Sequence, residues 1–332
     1  MAWFAGGGVG VNIFFVLSGF LITSLLLTER EKTGGVRLGM FYMRRVLRLY
    51  PALAAMLLFT LIIGGGAVTS ALIAGTYTKN LFMLFGLNPV SPYGHTWSLA
   101  LEEQFYLIWP LLLPLFVRAG RRAAVALLTV LAIASAMWAQ LAVTTVIKNG
   151  DITVAVFNPL WQAHGLLIGC ALAFVIRHRS VPRAGLLSTL GLAGCLAVAV
   201  AASITVDHHW AADWNLLSEF AAAALIAGMR DQATGLIRVF TWRPVVWLGE
   251  RSYAIYLWHL PLITVAPEHG YGKPGILAAW VLTVVAAALS WRFVEKPFLR
   301  LKKRFEPTRQ PRPPRRSWST RRPPEALRTT LA

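Results

Sequence analysis

Acidic residues are scarce in this chain. There are 14 Asp and Glu against 32 Lys and Arg, and charged residues of both signs make up only 14% of its 332 positions. With 56% hydrophobic residues and a mean hydropathy of +0.58, the composition excludes a soluble globular domain. The length would accommodate two such domains, but the apolar runs are too long and too evenly spaced. Cysteine is rarer still. Cys170 and Cys195 sit apart in GLLIGCALAF and LGLAGCLAVA, so neither a disulfide framework nor a thiolate metal site is expected, and both read as small packing residues. Histidine is missing from the front of the chain, the first being His95.

What is abundant is apolar sequence in runs of spanning length, about 20 residues each. Such runs fall at 9–28, 51–68, 98–117, 123–141, 159–176, 186–205, 215–229, 245–266 and 275–293. The fold class expected is therefore an all-α polytopic membrane protein, a bundle of about nine transmembrane helices. A weaker stretch at 72–87 contains Lys79 and Asn80 and reads as re-entrant or interfacial.

The cations decide the orientation. If the first run passes from outside to inside, the inner segments carry 27 of the 32 Lys and Arg and the outer segments carry 3. Such a bias supports the topology and a cytoplasmic C-terminus. Twelve of the cations follow residue 293. This distribution matches an anionic inner leaflet better than a nucleic acid, and no nucleic-acid partner is expected. Residues 301–332 are rich in Pro and Arg and are expected to form a disordered cytoplasmic tail. No basic flank precedes the first run, so nine spans place the N-terminus outside, as though one helix were lacking at the front.

Ionisable residues within spans are costly and are functional candidates by default. HTWSLALEEQFYLIWPLLLPLF places Glu102 and Glu103 in such a run. Adjacent helical residues point about 100° apart, and Glu102 shares its face with Ser98, Phe105, Tyr106 and Trp109. Its natural partners are the cations of MFYMRRVLRLYP. Arg45 and Arg48 are neighbours on one helical face, Arg44 points elsewhere, and Pro51 is expected to break this turn from the following span. Two readings stand for the arginines: an anchor at the inner leaflet, or a grip on a phosphate-bearing ligand through planar guanidinium forks. For Glu102, a structural salt bridge stands beside a functional role.

GVGVNIFFVLSGFLIT carries Gly10, Ser18 and Gly19 among bulky residues, which fits close helix contact, while Ser18 and Asn12 could line a polar cavity. LGERSYAIYLWHLPL puts Ser252, Tyr256 and His259 on roughly one face. His259 and His164 lie well inside spans. A buried histidine serves as a hydrogen-bonded structural group or as a base, and the sequence leaves both open. Asp207, His208 and His209 form a short outer cluster whose spacing is poor for a metal site, and no metal is expected.

In order along the chain, GVGVNIFFVLSGFLIT, FYMRRVLRLYPAL, HTWSLALEEQFYLIWPLLL, LGERSYAIYLWHLPL and LSWRFVEKPFLR resemble the signature segments of the bacterial acyltransferase 3 family. The match runs from about residue 8 to residue 300. These are integral-membrane O-acyltransferases of O-antigens, exopolysaccharides and macrolides. The resemblance implies acyl-CoA, acetyl-CoA in the first place, as co-substrate, entering from the cytoplasm of a bacterial plasma-membrane enzyme. It implies a carbohydrate, glycolipid or macrolide acceptor hydroxyl at the outer side, and no bound cofactor.

The Arg-x-x-Arg segment falls on Arg45 and Arg48, with Arg44 beside them, implying contact with the coenzyme's phosphates. Gly10, Phe14, Ser18, Gly19 and Phe20 are implied to shape the central pore, with Trp97 and Tyr256 as further substrate-side candidates. Glu102, Ser98 and His259 are the catalytic candidates. The family's pattern places an Arg and a catalytic histidine on one more helix at the front. Their lack here makes a first helix lost or omitted the expectation, and leaves a catalytically inactive member or a membrane transporter as alternatives.

Overall fold

The computed structural model describes residues 7–64, 66–87, 92–149, 157–204, 211–230, 235–268 and 272–306. Their order is α1 (Gly7–Thr33), α2 (Leu38–Ile62), α3 (Val68–Gly75), α4 (Lys79–Leu84), α5 (Thr96–Ala119), α6 (Arg121–Asn149), α7 (Pro159–Ile176), α8 (Ala184–Ile204), α9 (Ala211–Met229), α10 (Ile237–Phe240), α11 (Arg243–Glu268) and α12 (Gly272–Ser290). A π-helical turn at Trp291–Glu295 then leads into α13 (Lys296–Lys302) and a 3₁₀ turn at Lys303–Phe305. No strand occurs among the described residues.

The chain is an all-α polytopic membrane protein. Each of the nine expected spans lies within or largely within a long helix, and seven described helices are long and apolar enough to cross a bilayer. In α9 the apolar stretch Trp214–Met229 is shorter, and α11 carries Arg243, Glu250, Arg251 and His259. The expected break at Pro51 does not occur. One continuous helix runs from Leu38 to Ile62 with Pro51 inside it, so the arginine turn and the following span form a single rod. Pro51 lacks an N–H to donate, and neighbouring helices hydrogen-bond to α2 on the N-terminal side of it in the chain. Tyr42 donates to the Leu107 carbonyl at 2.8 Å, and Tyr253 donates to the Leu49 carbonyl at 2.9 Å.

The weak stretch at 72–87 does not span. It folds as α3 and α4, with Lys79 and Asn80 buried. The side chains of Asn80 and Gln104 exchange hydrogen bonds at 2.9 and 3.2 Å, pinning α4 to α5. The expected outer cluster Asp207–His209 lies outside the described residues, and so does most of the expected disordered tail. The first residues of that tail, 301–306, are ordered as the end of α13 and the 3₁₀ turn, which pack on α2.

Within lipid, helices associate by close packing rather than by escape from water, which favours small residues at contacts. An added Cβ on Gly19 would stand 2.1 Å from the Leu166 carbonyl oxygen, and one on Gly169 would stand 2.1 Å from that of Val16. These two glycines let the α1 and α7 backbones touch. Cys170 and Cys195 are free and buried, as packing residues.

Among the described residues, two large apolar cores stand beside two smaller ones. One gathers Leu26, Phe41, Tyr106, Trp109 and Leu128 from α1, α2, α5 and α6, together with Phe174 of α7. The other gathers Leu53, Met56, Tyr93, Leu99, Leu257 and Ala287 around α2, α5, α11 and α12. Helices α2 and α5 belong to both, and α5 carries the buried polar residues Thr96, Ser98 and Glu102.

Candidate active site

Glu102 is 3% exposed, in the middle of α1, α2 and α5. The hydroxyls of Ser18 and Tyr106 both donate to its Oε1 and stand 2.9 Å from each other. The Tyr106 ring in turn carries the Arg45 guanidinium, whose Cζ is 3.6 Å from the ring centre. Arg45 lies within electrostatic reach of Glu102 and Glu103. Its Nε is buried and donates to no acceptor among the described residues. The carboxylate therefore links α1 to the cationic face of α2 through one tyrosine, and one buried donor of that face has no partner among the described residues.

A second polar group sits one helical turn earlier on α5. Ser98 is 2.6 Å from the Tyr256 hydroxyl, and that hydroxyl donates to the His95 carbonyl at 2.8 Å. The rings of His95 and His259 are 5.1 Å apart, and Tyr256 lies 5.3 Å from each. His95 precedes α5, and neither of its ring nitrogens makes a well-formed hydrogen bond. Burial, with His259 beside it, pushes its imidazole down to about 3, so it is neutral at physiological pH. From Tyr106 to His95 is eleven residues, about 16 Å of helix rise. The two groups thus form a polar track along α5.

The sequence profile of the family described as "Acyltransferase domain" matches residues 1–295. The chain belongs to the acyltransferase 3 family. It is 34% identical to the peptidoglycan O-acetyltransferase OatA of Listeria monocytogenes and 32% identical to the putative peptidoglycan O-acetyltransferase YrhL of Bacillus subtilis. It is 30% identical to the O-acetyltransferase OatA of Staphylococcus aureus. In all three, 89% of this chain aligns with 51–53% of the relative. The chain spans about half the length of these relatives. No solved structure matches it.

The family's segments meet only in part. Ser18, Glu102, Tyr106 and Arg45 converge, and so do Ser98, Tyr256 and His259. Arg48 is exposed one turn beyond Arg45. For Arg44 the structure gives a different occupation from a coenzyme contact. Its Nη2 bonds Glu29 at 2.6 Å and its Nη1 bonds the Phe305 carbonyl at 2.8 Å. A one-residue step along the helix turns it about 100° away from Arg45, into the packing.

Gly10 and Phe14 stand apart from the group around Ser18. Gly10 has nothing within 4 Å of an added Cβ, and Phe14 is 40% exposed. Four-residue steps advance 40° past a full turn, so this row drifts off the face that Ser18 occupies. Phe15, fully buried, packs against Trp97 instead, and Trp97 also meets Phe157 at 5.4 Å. Gly19 serves helix contact rather than a pore. Ser252 is exposed and donates only to the Gly249 carbonyl.

Several buried pairs were not anticipated. His164 Nδ1 is 2.6 Å from Glu219, both fully enclosed. Asn12 donates to Asn215 at 2.7 Å and to Ser218 at 3.1 Å. Glu295, 4% exposed, lies within reach of Arg48 and Arg251. Glu219 and Glu295 were legible as ionisable residues inside apolar runs, whereas their partners come from distant helices. An apolar groove of about 720 Å³ between α6, α7 and α9 contains none of the track residues. Among the described residues no cluster of His, Cys, Asp and Glu could hold a metal.

Proposed function

We propose that this chain is the membrane domain of an O-acyltransferase that moves an acetyl group from acyl-CoA to a carbohydrate hydroxyl. The names of its relatives favour a peptidoglycan-type acceptor. Residues 1–300 would be the catalytic membrane domain and 301–332 a cytoplasmic tail, in the bacterial plasma membrane with the C-terminus inside. The observation that carries this reading is the Arg45–Tyr106–Glu102 linkage, a phosphate-binding cation joined to a buried carboxylate on the polar track.

In the reaction the acceptor oxygen attacks the thioester carbon, the C–S bond breaks, and the coenzyme leaves as thiolate. The acceptor proton passes to a base and later to sulfur. Arg45 and Arg48 hold phosphate oxygens, a task for which a permanently charged, planar guanidinium is suited. Glu102 keeps Arg45, Ser18 and Tyr106 in register. His259, with Tyr256, Ser98 and His95 around it, is the proton-handling group of the outer half of the track. General-base assistance contributes about 10²- to 10⁴-fold in such reactions.

The test uses the full chain in detergent and in proteoliposomes, with radiolabelled acetyl-CoA. Wild type binds the coenzyme and labels glycan, while Arg48→Ala inserts normally but loses coenzyme binding. Unchanged binding by Arg48→Ala would defeat the residue assignment. Solute flux without any acyl-CoA dependence would favour a transporter instead.

A further inference from the structure

The arginine face of α2 is not built by α2 alone. The chain returns to it from the far end of the sequence, because α13 and the 3₁₀ turn after it pack on α2. Two local features bring them there. The π-helical turn Trp291–Glu295 shifts the helical register just before Pro297 and buries Glu295 near Arg48. Such insertions recur at functional sites. Arg44, fixed by Glu29, then clamps the Phe305 carbonyl at 2.8 Å.

Between these two anchors lies Lys302. It is half-buried and lies within electrostatic reach of Arg44, Arg45 and Arg48, with exposed Glu306 as the acid nearby. The neighbouring acids are already committed. Glu29 holds Arg44, Glu102 and Glu103 face Arg45, and Glu295 is shared between Arg48 and Arg251. Arg251 is itself stacked near Trp247 and Trp291, at 4.3 and 5.3 Å. Four cations thus converge on one face, and the buried Nε of one of them, Arg45, has no acceptor among the described residues, an orphan donor that an added anion would satisfy.

We infer that Lys302 is a third cation of the anion site built on Arg45 and Arg48, delivered by the π turn and the Arg44 clamp to contact a phosphate-bearing ligand. That this ligand is coenzyme A rests on the function proposed above; the anion site itself does not. A lysine adds a compact, mobile point charge to the fixed guanidinium forks, a combination suited to a ligand with more than one phosphate.

The experiment is calorimetric titration of the purified full chain with coenzyme A and, separately, with inorganic pyrophosphate. The variants are Lys302→Ala, Lys302→Gln, Lys302→Arg and, as a control of equal charge change, Arg304→Ala on the exposed neighbour. Loss of one charge-assisted contact predicts about tenfold weaker binding of both ligands for Ala and Gln. Lys302→Arg should stay close to wild type, and so should Arg304→Ala. Pyrophosphate binding that needs Lys302, without coenzyme binding, would uphold the anion site and overturn the acyl-CoA reading. Equal affinities for Lys302→Gln and Arg304→Ala would overturn the inference, as would the lack of pyrophosphate binding by wild type. Lys302→Arg and Lys302→Gln keep the side chain's bulk, so the comparison survives misfolding of the alanine variant.

Discussion

The Arg45 guanidinium lies over the Tyr106 ring, 3.6 Å from its centre, while the hydroxyl of the same tyrosine bonds Glu102. One side chain thus separates a cation from a carboxylate that would otherwise collapse into a direct pair. Tyr106 holds Arg45 by its ring face and Glu102 by its hydroxyl, while the buried Nε of Arg45 has no acceptor among the described residues. Cation–π contacts of this kind are worth about 0.5–2 kcal/mol.

That arrangement separates two substitutions at Tyr106. Tyr106→Phe keeps the ring beneath Arg45 and removes one donor from Glu102, so thermal unfolding in detergent should show a loss of about 1–2 kcal/mol. Tyr106→Leu removes both contacts and should cost more and weaken coenzyme binding further. Glu102→Ala, which strips Arg45 of a buried counter-charge, should cost about 3–5 kcal/mol. Equal stability of the Phe and Leu variants would show that the ring contact contributes nothing.

The two glycines of α1 should respond in opposite directions. A methyl at Gly19 has a carbonyl oxygen at 2.1 Å, and Gly19→Ala should destabilise by about 1–3 kcal/mol or more as α1 and α7 are forced apart. Gly10 has open space around it, so Gly10→Ala should be neutral or stabilising by up to about 1 kcal/mol through helix propensity. Melting temperatures of the two variants, side by side, decide it.

His164 and Glu219 form a buried pair whose hydrogen bond involves none of the residues of the polar track. His164→Ala leaves Glu219 without its partner and should lower stability by about 3 kcal/mol or more. Coenzyme affinity, measured at a temperature where the variant is folded, should be unchanged. A selective loss of binding would instead tie this pair to the site.

His95 supplies a pH signature. Its imidazole is held at about 3 by burial in the folded chain, against about 6.5 when unfolded. Between these values the unfolded chain binds a proton that the folded chain does not, so stability is fully present above about 6.5 and falls as pH drops below it. His95→Gln should flatten this part of the stability–pH curve. An identical curve for the variant would mean that His95 does not carry the effect.

Much of this protein was written locally. The helix positions follow from run length and charge bias because lipid leaves each span to satisfy its own backbone. The pairing of a carboxylate segment with an arginine segment follows because an intramembrane ion needs a partner. Which partners meet was decided by the fold. Arg44, adjacent to Arg45 in sequence, went to Glu29 and Phe305 because one residue is 100° of helix. Pro51 did not end its helix, and α11 holds the Leu49 carbonyl just before it through Tyr253. Gly19 became a contact point because α7 brings Gly169 alongside. Lys302 and Glu295 reached the arginine face from more than 240 residues away, a distance no periodicity records. Hydropathy and charge act along the chain and are legible in it. Side-chain partnership acts across it, and only the packing of α1, α2, α5 and α13 fixes that.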